Sequence, residues 1–204
     1  STLLASSAAS DVYKRQDQRR YLNIIRERLN SLNEMLEELF TFTKLKNDSY
    51  KLELTDCCMN RILKEAVFSY YDEWKKQGIC PEISITEEML YISGNKQGLR
   101  RVIQNVIKNG LDHGEQNISI KLTREDNYAL LKISNYTEHP ENIDLSHVFE
   151  RFYKADVARG RASTGLGLSI AKELVERMNG DISARIQGND FIIEIKVSLV
   201  VQHA

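Results

Sequence analysis

Leu22, Ile25, Leu29, Leu32, Leu36 and Leu39 recur at alternating spacings of three and four in a stretch, residues 17 to about 45, that holds neither Gly nor Pro. This is the seam of a heptad helix sustained over nearly three repeats. Arg26, Glu27, Arg28, Glu34, Glu37 and Glu38 fall between the seam positions and form a solvated face. Met35, Phe40 and Phe42 widen the apolar side, so the helix is expected to want more than one neighbour. A dimerising bundle helix fits that pattern better than a core helix of the same domain. Asn47, Asp48 and Ser49 then end it.

Beyond this helix the pattern shortens and begins to alternate. Thr55 is predicted to cap a helix running to about Gln77, with Gly78 as its stop. Residues 82–86 and 89–93 read as strands, and residues 95–113 as the next helix. Residues 117–124 and 128–134 alternate with period two and predict a hairpin. Residues 166–178 are predicted helical, and residues 181–187 and 191–198 form a second hairpin across Gly188 and Asn189. Helices alternate with strand pairs rather than single strands. The expected fold is therefore α+β, a two-layer sandwich rather than a doubly wound parallel sheet. The expected organisation is residues 1–16 apart from the fold, 17–48 as the bundle helix and 49–204 as a compact domain.

Composition changes this picture little. The chain has 204 residues, 42% hydrophobic and 28% charged, which suits a folded globular protein and excludes a disordered one. With 28 basic and 29 acidic residues there is no overall charge to draw it to nucleic acid. No run approaches the roughly 20 apolar residues of a membrane span, so no membrane contact is expected of this stretch. Three cysteines, two of them adjacent (Cys57 and Cys58), show no disulfide framework or metal spacing and suit a reducing compartment. The chain starts with Ser1, and Asp11 to Gln16 reads DVYKRQ, which resembles the translation of a transposon end used in sequencing libraries. Residues 1–16 are expected to be an assembly scar or a disordered leader, with the gene continuing upstream.

Three neighbourhoods carry candidate chemistry. In the helix LRRVIQNVIKNGLDHG, Leu99, Val102, Ile103 and Val106 form an apolar face, while Asn105, Asn109, Asp112 and His113 share another. Two carboxamides and a carboxylate are the hard oxygen ligands that a Mg²⁺–phosphate site needs when water and nucleotide supply the rest. In STGLGLSIAKELVERMNG, Thr164, Gly165, Leu166, Gly167 and Leu168 lead into a helix whose apolar face includes Ile170, Leu174, Val175 and Met178. Glycines there would let backbone N–H groups approach a phosphate at a helix start. Between them, residues 135–163 have no clear periodicity, as a lid would. Within that segment Phe149, Phe152 and Tyr153 could anchor the lid, while Arg151, Lys154, Arg159 and Arg161 could reach phosphate oxygens.

Taken in order, NVIKNGLDHG, VFERFYKAD and STGLGLSIAKELVERMNG resemble the N box, F box and second glycine box of bacterial sensor histidine kinases. The resemblance covers nearly all of residues 17–198, and the first helix, ending FTFTKL, resembles the second helix of that family's dimerisation and phosphotransfer hairpin. It implies a Bergerat-type ATP-binding sandwich, using ATP and Mg²⁺ to phosphorylate a histidine on the hairpin for relay to a response regulator. It also implies a homodimer through the first helix, in the cytoplasm behind a membrane-anchored sensor. By position, Asn109 stands for the metal ligand and Asn105 for its support. His113 stands for a nucleotide contact, Thr164, Gly165, Leu166, Gly167 and Leu168 for the triphosphate cradle, and Lys154 and Arg159 for lid cations.

Three departures bear on that expectation. The family's first glycine box begins with an Asp that accepts a hydrogen bond from the adenine amino group. Here the stretch is NYTEH, so Asn135 takes that place and both glycines are gone. Loss of the charge should weaken the bond by about 1 kcal/mol. Asp112 stands where Lys is common and is counted with the nucleotide-binding residues. The histidines are His113, His139, His147 and His203, none of them in the first helix, so the phospho-acceptor is absent from this stretch. Two alternatives remain. A related ATPase or anti-sigma-type serine kinase would usually lack the F box and heptad helix. A decayed dimerising scaffold draws its support from Asn135 and Asp112.

Overall fold

A computed structural model describes residues 2–47, 51–113, 117–154 and 164–200, without the side chains of residues 2–17, 19, 27, 112 and 113. The chain divides into two compact units, Ser1–Phe40 and Thr41–Ala204. The first unit is helical. Helix α1, Thr2–Lys46, includes residues 2–16, a stretch without Gly or Pro in which Ala and Leu favour the helix. The seam residues Leu22, Ile25, Leu29, Leu32, Leu36 and Leu39 all lie exposed. The unit boundary falls at residues 40 and 41, ahead of the expected 48 and 49, because Phe42 and Leu45 pack into the core of the second unit.

In the second unit, β1 (Thr55–Cys58) leads into α2 (Met59–Ser69) and α3 (Tyr71–Gln77). Next come β2 (Glu82–Ile85), β3 (Tyr91–Gly94), α4 (Lys96–His113), β4 (Ile118–Glu125) and β5 (Tyr128–Tyr136). After a short 3₁₀ turn at Pro140–Asn142 come α5 (Gly167–Arg177), β6 (Asp181–Gln187) and β7 (Asp190–Ser198). Five strands form one sheet in the order β2-β4-β5-β7-β6, with β2 parallel to β4 and the other pairs antiparallel. The α+β expectation holds, with a mixed sheet.

Period-two alternation places one apolar row beside the next. Ile120 pairs with Ile133, which pairs with Ile193; Leu122 pairs with Leu131, which pairs with Ile195. Against this face lie Leu99, Val102, Ile103, Val106 and Ile107 of α4, and Ile170, Leu174 and Val175 of α5, all buried. Burying each large aliphatic side chain stabilises by about 1.5–3 kcal/mol. Gly98, Asn105, Asn109 and Gly110 cost α4 roughly 0.5–1 kcal/mol each in propensity. Packing, therefore, decides that these residues are helical. Asn95 caps the start, its Oδ1 accepting from Gly98 N–H at 2.8 Å.

The predicted helix between Thr55 and Gln77 is corrected. Thr55 opens a strand, pairing with Gly94 in a separate two-stranded sheet of β1 and β3, and the helical stretch breaks at Tyr70. Four residues are too few for their own pattern to announce a strand; the partner β3 supplies it. Gly78 does end α3, at φ +69°. All three cysteines are free thiols.

The last turn of α1 is held to α5 within the second unit. Lys46 Nζ lies 2.7 Å from Glu173 Oε2, Arg177 Nε lies 3.0 Å from Glu173 Oε1, and Arg177 Nη2 donates to Leu45 O. Burial pushes the Glu173 carboxyl up, but hydrogen bonds and charge from Lys46 and Arg177 outweigh it, so it titrates below its ordinary value of 4.5. Its stabilisation is therefore complete above that ordinary value and is lost as pH falls through the lowered one. Between about pH 6 and about pH 3, the urea midpoint of wild type should fall further than that of Glu173→Gln. Parallel falls would mean that the latch adds nothing.

Candidate functional site

The site is built where α4 meets the start of α5. Asn105 and Asn109 lie one turn apart on α4, on the side away from its buried aliphatic residues. Asn105 Nδ2 donates to Gly167 O at 2.9 Å, so the first residue of α5 is tied to the middle of α4. Asn109, half-buried, has no hydrogen-bond partner among the described residues.

Among the described residues no side chain caps α5, and the first bond of its ladder runs from Ile170 N–H to Leu166 O at 2.9 Å. The N–H groups of Gly167, Leu168 and Ser169 therefore precede the ladder, at the positive end of the helix. Thr164 shapes the approach, its Oγ1 accepting from Leu166 N–H at 3.1 Å. Such a helix start can hold a phosphate through backbone alone.

The two glycines of the motif serve different ends. Gly165 has φ +71°, and a Cβ there would sit 2.8 Å from Phe152 C and from Tyr153 O. Phe152 N–H donates to Gly165 O at 3.0 Å, closing the two segments on each other. The constraint on Gly165 thus comes from the chain itself. A Cβ on Gly167 would meet Asn105 at 3.8 Å, an ordinary contact.

The expected lid anchors are only partly borne out. Phe149 is half-buried against the core, with Lys172 Nζ 5.5 Å from its ring centroid. Tyr153 packs against the core too, and its hydroxyl accepts from Asp144 N–H at 2.8 Å. Phe152 does not anchor: it is 65% exposed and held at φ +60°, a conformation unusual for a residue with a Cβ. Arg151 is also turned elsewhere, its guanidinium 4.8 Å from the Phe42 ring centroid. Lys154 is half-buried. Arg159 and Arg161 lie outside the described residues. Asp112 and His113 occupy the last turn of α4, and their side chains lie outside the description as well.

Asn135, in β5, is buried and faces α4 at Gly110, where a Cβ would lie 3.6 Å from its Cβ and Oδ1. Sequence reasoning passed over Gly110. A glycine in the interior of a helix costs about 1 kcal/mol relative to Ala, and here the contact a Cβ would make with Asn135 is an ordinary one.

A stability comparison separates the two glycine roles. Gly165→Ala should destabilise by roughly 2 kcal/mol or more, from strain and backbone collision. Gly167→Ala should change stability by less than about 0.5 kcal/mol. Equal losses in urea titrations of the two variants would contradict the assignment.

Comparison with known proteins agrees with this geometry. Residues 94–199, just over half of the chain, match the family described as Histidine kinase-, DNA gyrase B-, and HSP90-like ATPase. The chain is 29% identical over 174 residues to the sensor histidine kinase YcbM of Bacillus subtilis, covering 83% of this chain and 56% of that protein. It is 28% identical over 184 residues to the sensor protein VanS of Enterococcus faecium, covering 88% and 47%. The chain thus spans about half the length of these relatives. Among solved structures, the Acinetobacter baumannii histidine kinase AdeS shares the fold with TM-score 0.69 at 20% identity, over 84% of this chain and 80% of that one. With α4, the glycine-bearing start of α5 and four of the five strands of the sheet inside the matched region, the chain belongs to the histidine kinase-, DNA gyrase B- and HSP90-like ATPase family.

Proposed function

We propose that this chain is the ATP-binding catalytic part of a two-component sensor histidine kinase. The observation that carries the reading is the Asn105–Gly167 hydrogen bond, which ties an uncapped helix start to α4 one turn from Asn109, whose carboxamide has no partner among the described residues. The residues present fit a magnesium nucleotide. The N–H groups at the start of α5 hold phosphate oxygens. Asn109 offers a neutral oxygen ligand, as Mg²⁺ accepts when water and phosphate supply the rest. Asn105 has spent its nitrogen on Gly167, so its oxygen is the atom left to support the metal. Asn135 faces the base, and Asp112 and His113 complete the nucleotide-binding side of α4. Lys154 and Arg159 serve as lid cations.

When bound, ATP supplies an activated γ-phosphoryl group. The protein's part in such transfers is positioning and charge stabilisation. Its acceptor in this reading is a histidine on a helical hairpin, and a response-regulator aspartate follows. The exposed Leu and Ile seam of α1 supports pairing with a second copy. No helix among the described residues is long and apolar enough to cross a membrane. We place this stretch in the cytoplasm, with the whole protein anchored in the membrane.

Calorimetric titration of the full chain should show Mg²⁺-dependent ATP binding that Asn109→Ala weakens about tenfold or more, equal to about 1.4 kcal/mol. The same sample should sediment as a dimer and form no phosphohistidine, since α1 holds no histidine. A folded chain that binds no ATP would leave the scaffold reading in its place. A monomer would remove the dimer, and labelled phosphohistidine would overturn the missing acceptor.

A further inference from the structure

Phe68, at the end of α2, is 79% exposed, and Tyr71, at the start of α3, is 58% exposed. Their rings stack, with centroids 6.5 Å apart and planes 13° from parallel. The core does not ask for either ring. α2 commits Met59, Ile62, Leu63 and Ala66 to it, which leaves Phe68 on the opposite side of the helix, and α3 commits Trp74.

Cations flank the pair on both sides. Arg61, Lys64, Phe68, Tyr71 and Lys75 follow at spacings of three, four, three and four, which is one face of a helical stretch. The stacked rings carry that face across the break at Tyr70. Arg61, Lys64, Lys75 and Lys76 are all exposed, and none of the four has a carboxylate partner among the described residues. Glu65, the acid beside them on α2, is already shared between Lys96, at 3.5 Å, and Arg100 of α4. Asp72 and Glu73 bound the face at the first turn of α3, and Glu73 accepts from Gln77 Nε2 at 2.6 Å.

We infer that this face docks on an anionic lipid surface, with the stacked rings seated among the headgroups and the four cations over the lipid phosphates. Three features select that occupant. The same cations on a second copy would repel across a face-to-face contact, so the partner is anionic. A ring 79% exposed stands out from its surface and lines no groove. It offers a protein no pocket, whereas a headgroup layer yields around it. Aromatic rings beside Lys and Arg are also the pairing that such a layer retains, since the rings enter the interface and the cations are drawn to the negative leaflet. The lack of a spanning helix among the described residues does not bear on this, because a surface contact needs no span. The face lies apart from Asn105, Asn109 and the start of α5 in the chain, and its docking needs no nucleotide.

The test is flotation of the full chain with vesicles of phosphatidylcholine, alone or mixed with phosphatidylglycerol. Wild type should bind the mixed vesicles about tenfold or more better than the neutral ones, and less well as salt rises. Lys64→Glu should weaken that binding about tenfold, and so should Phe68→Ala combined with Tyr71→Ala. Lys121→Glu makes the same change of charge at an exposed position of β4 and should leave binding as it was. Each of these side chains is exposed, so the core stays intact in every variant. Equal binding to neutral vesicles would overturn the assignment. So would anionic binding that Lys64→Glu and the aromatic double variant leave unchanged, which would place the lipid contact elsewhere, as on the exposed seam of α1. Retention on immobilised polyglutamate, lost in Lys64→Glu and with no binding to either vesicle, would overturn it in favour of an acidic protein.

Discussion

The hydrogen bond from Asn105 to Gly167 joins two helices whose other sides are committed to the sheet. α4 and α5 cannot roll, because each buries an aliphatic stripe against the apolar rows of β4, β5 and β7. The remaining polar side of α4 must therefore look towards the start of α5. With that angle set, the carboxamide of Asn105 meets the start of α5, and that of Asn109 lies one turn further along α4. The candidate site is thus a product of core packing, and what its described part offers is neutral hydrogen bonding plus the positive end of a helix.

α5 is held at both ends. Its start meets Asn105, and the approach to it is pinned by the Gly165–Phe152 bond. Its later turns carry Glu173 and Arg177, which grip the last turn of α1. The F-box residue Arg151 also lies over Phe42 of that turn. Any shift of this last turn relative to the sheet would strain contacts on the helix whose start carries the uncommitted N–H groups. The unusual φ of Phe152 is consistent with this crowding, since the chain accepts strain there to let two backbones close.

The elements legible in the sequence were those whose partners are near and whose pattern is long. The α4 and α5 faces at Leu99, Val102, Ile103, Val106, Ile170, Leu174 and Val175 proved buried as read, and both hairpins formed where alternation placed them. Thr55 failed because a cap and a strand start look alike in a single residue, and its partner Gly94 lies far along the chain. Phe152 failed because an aromatic in a motif reads as an anchor, whereas its backbone, not its ring, is what Gly165 meets. For the same reason the two glycines of GLG were indistinguishable until their neighbours were known. Asn109 stood out by its spacing on one face of a helix and Asn135 only through resemblance to known motifs; what packing adds is that neither Asn109 nor Asn135 Oδ1 has a hydrogen-bond partner among the described residues.

Hydrogen exchange of the full chain with and without magnesium and ATP tests the central claim most directly, because it reports on α4 and α5 separately. The account predicts slowed exchange together at residues 105–111 and 164–170, the two segments that the Asn105–Gly167 bond joins. Slowing at one segment without the other, or protection confined to parts of the chain away from both, would contradict it.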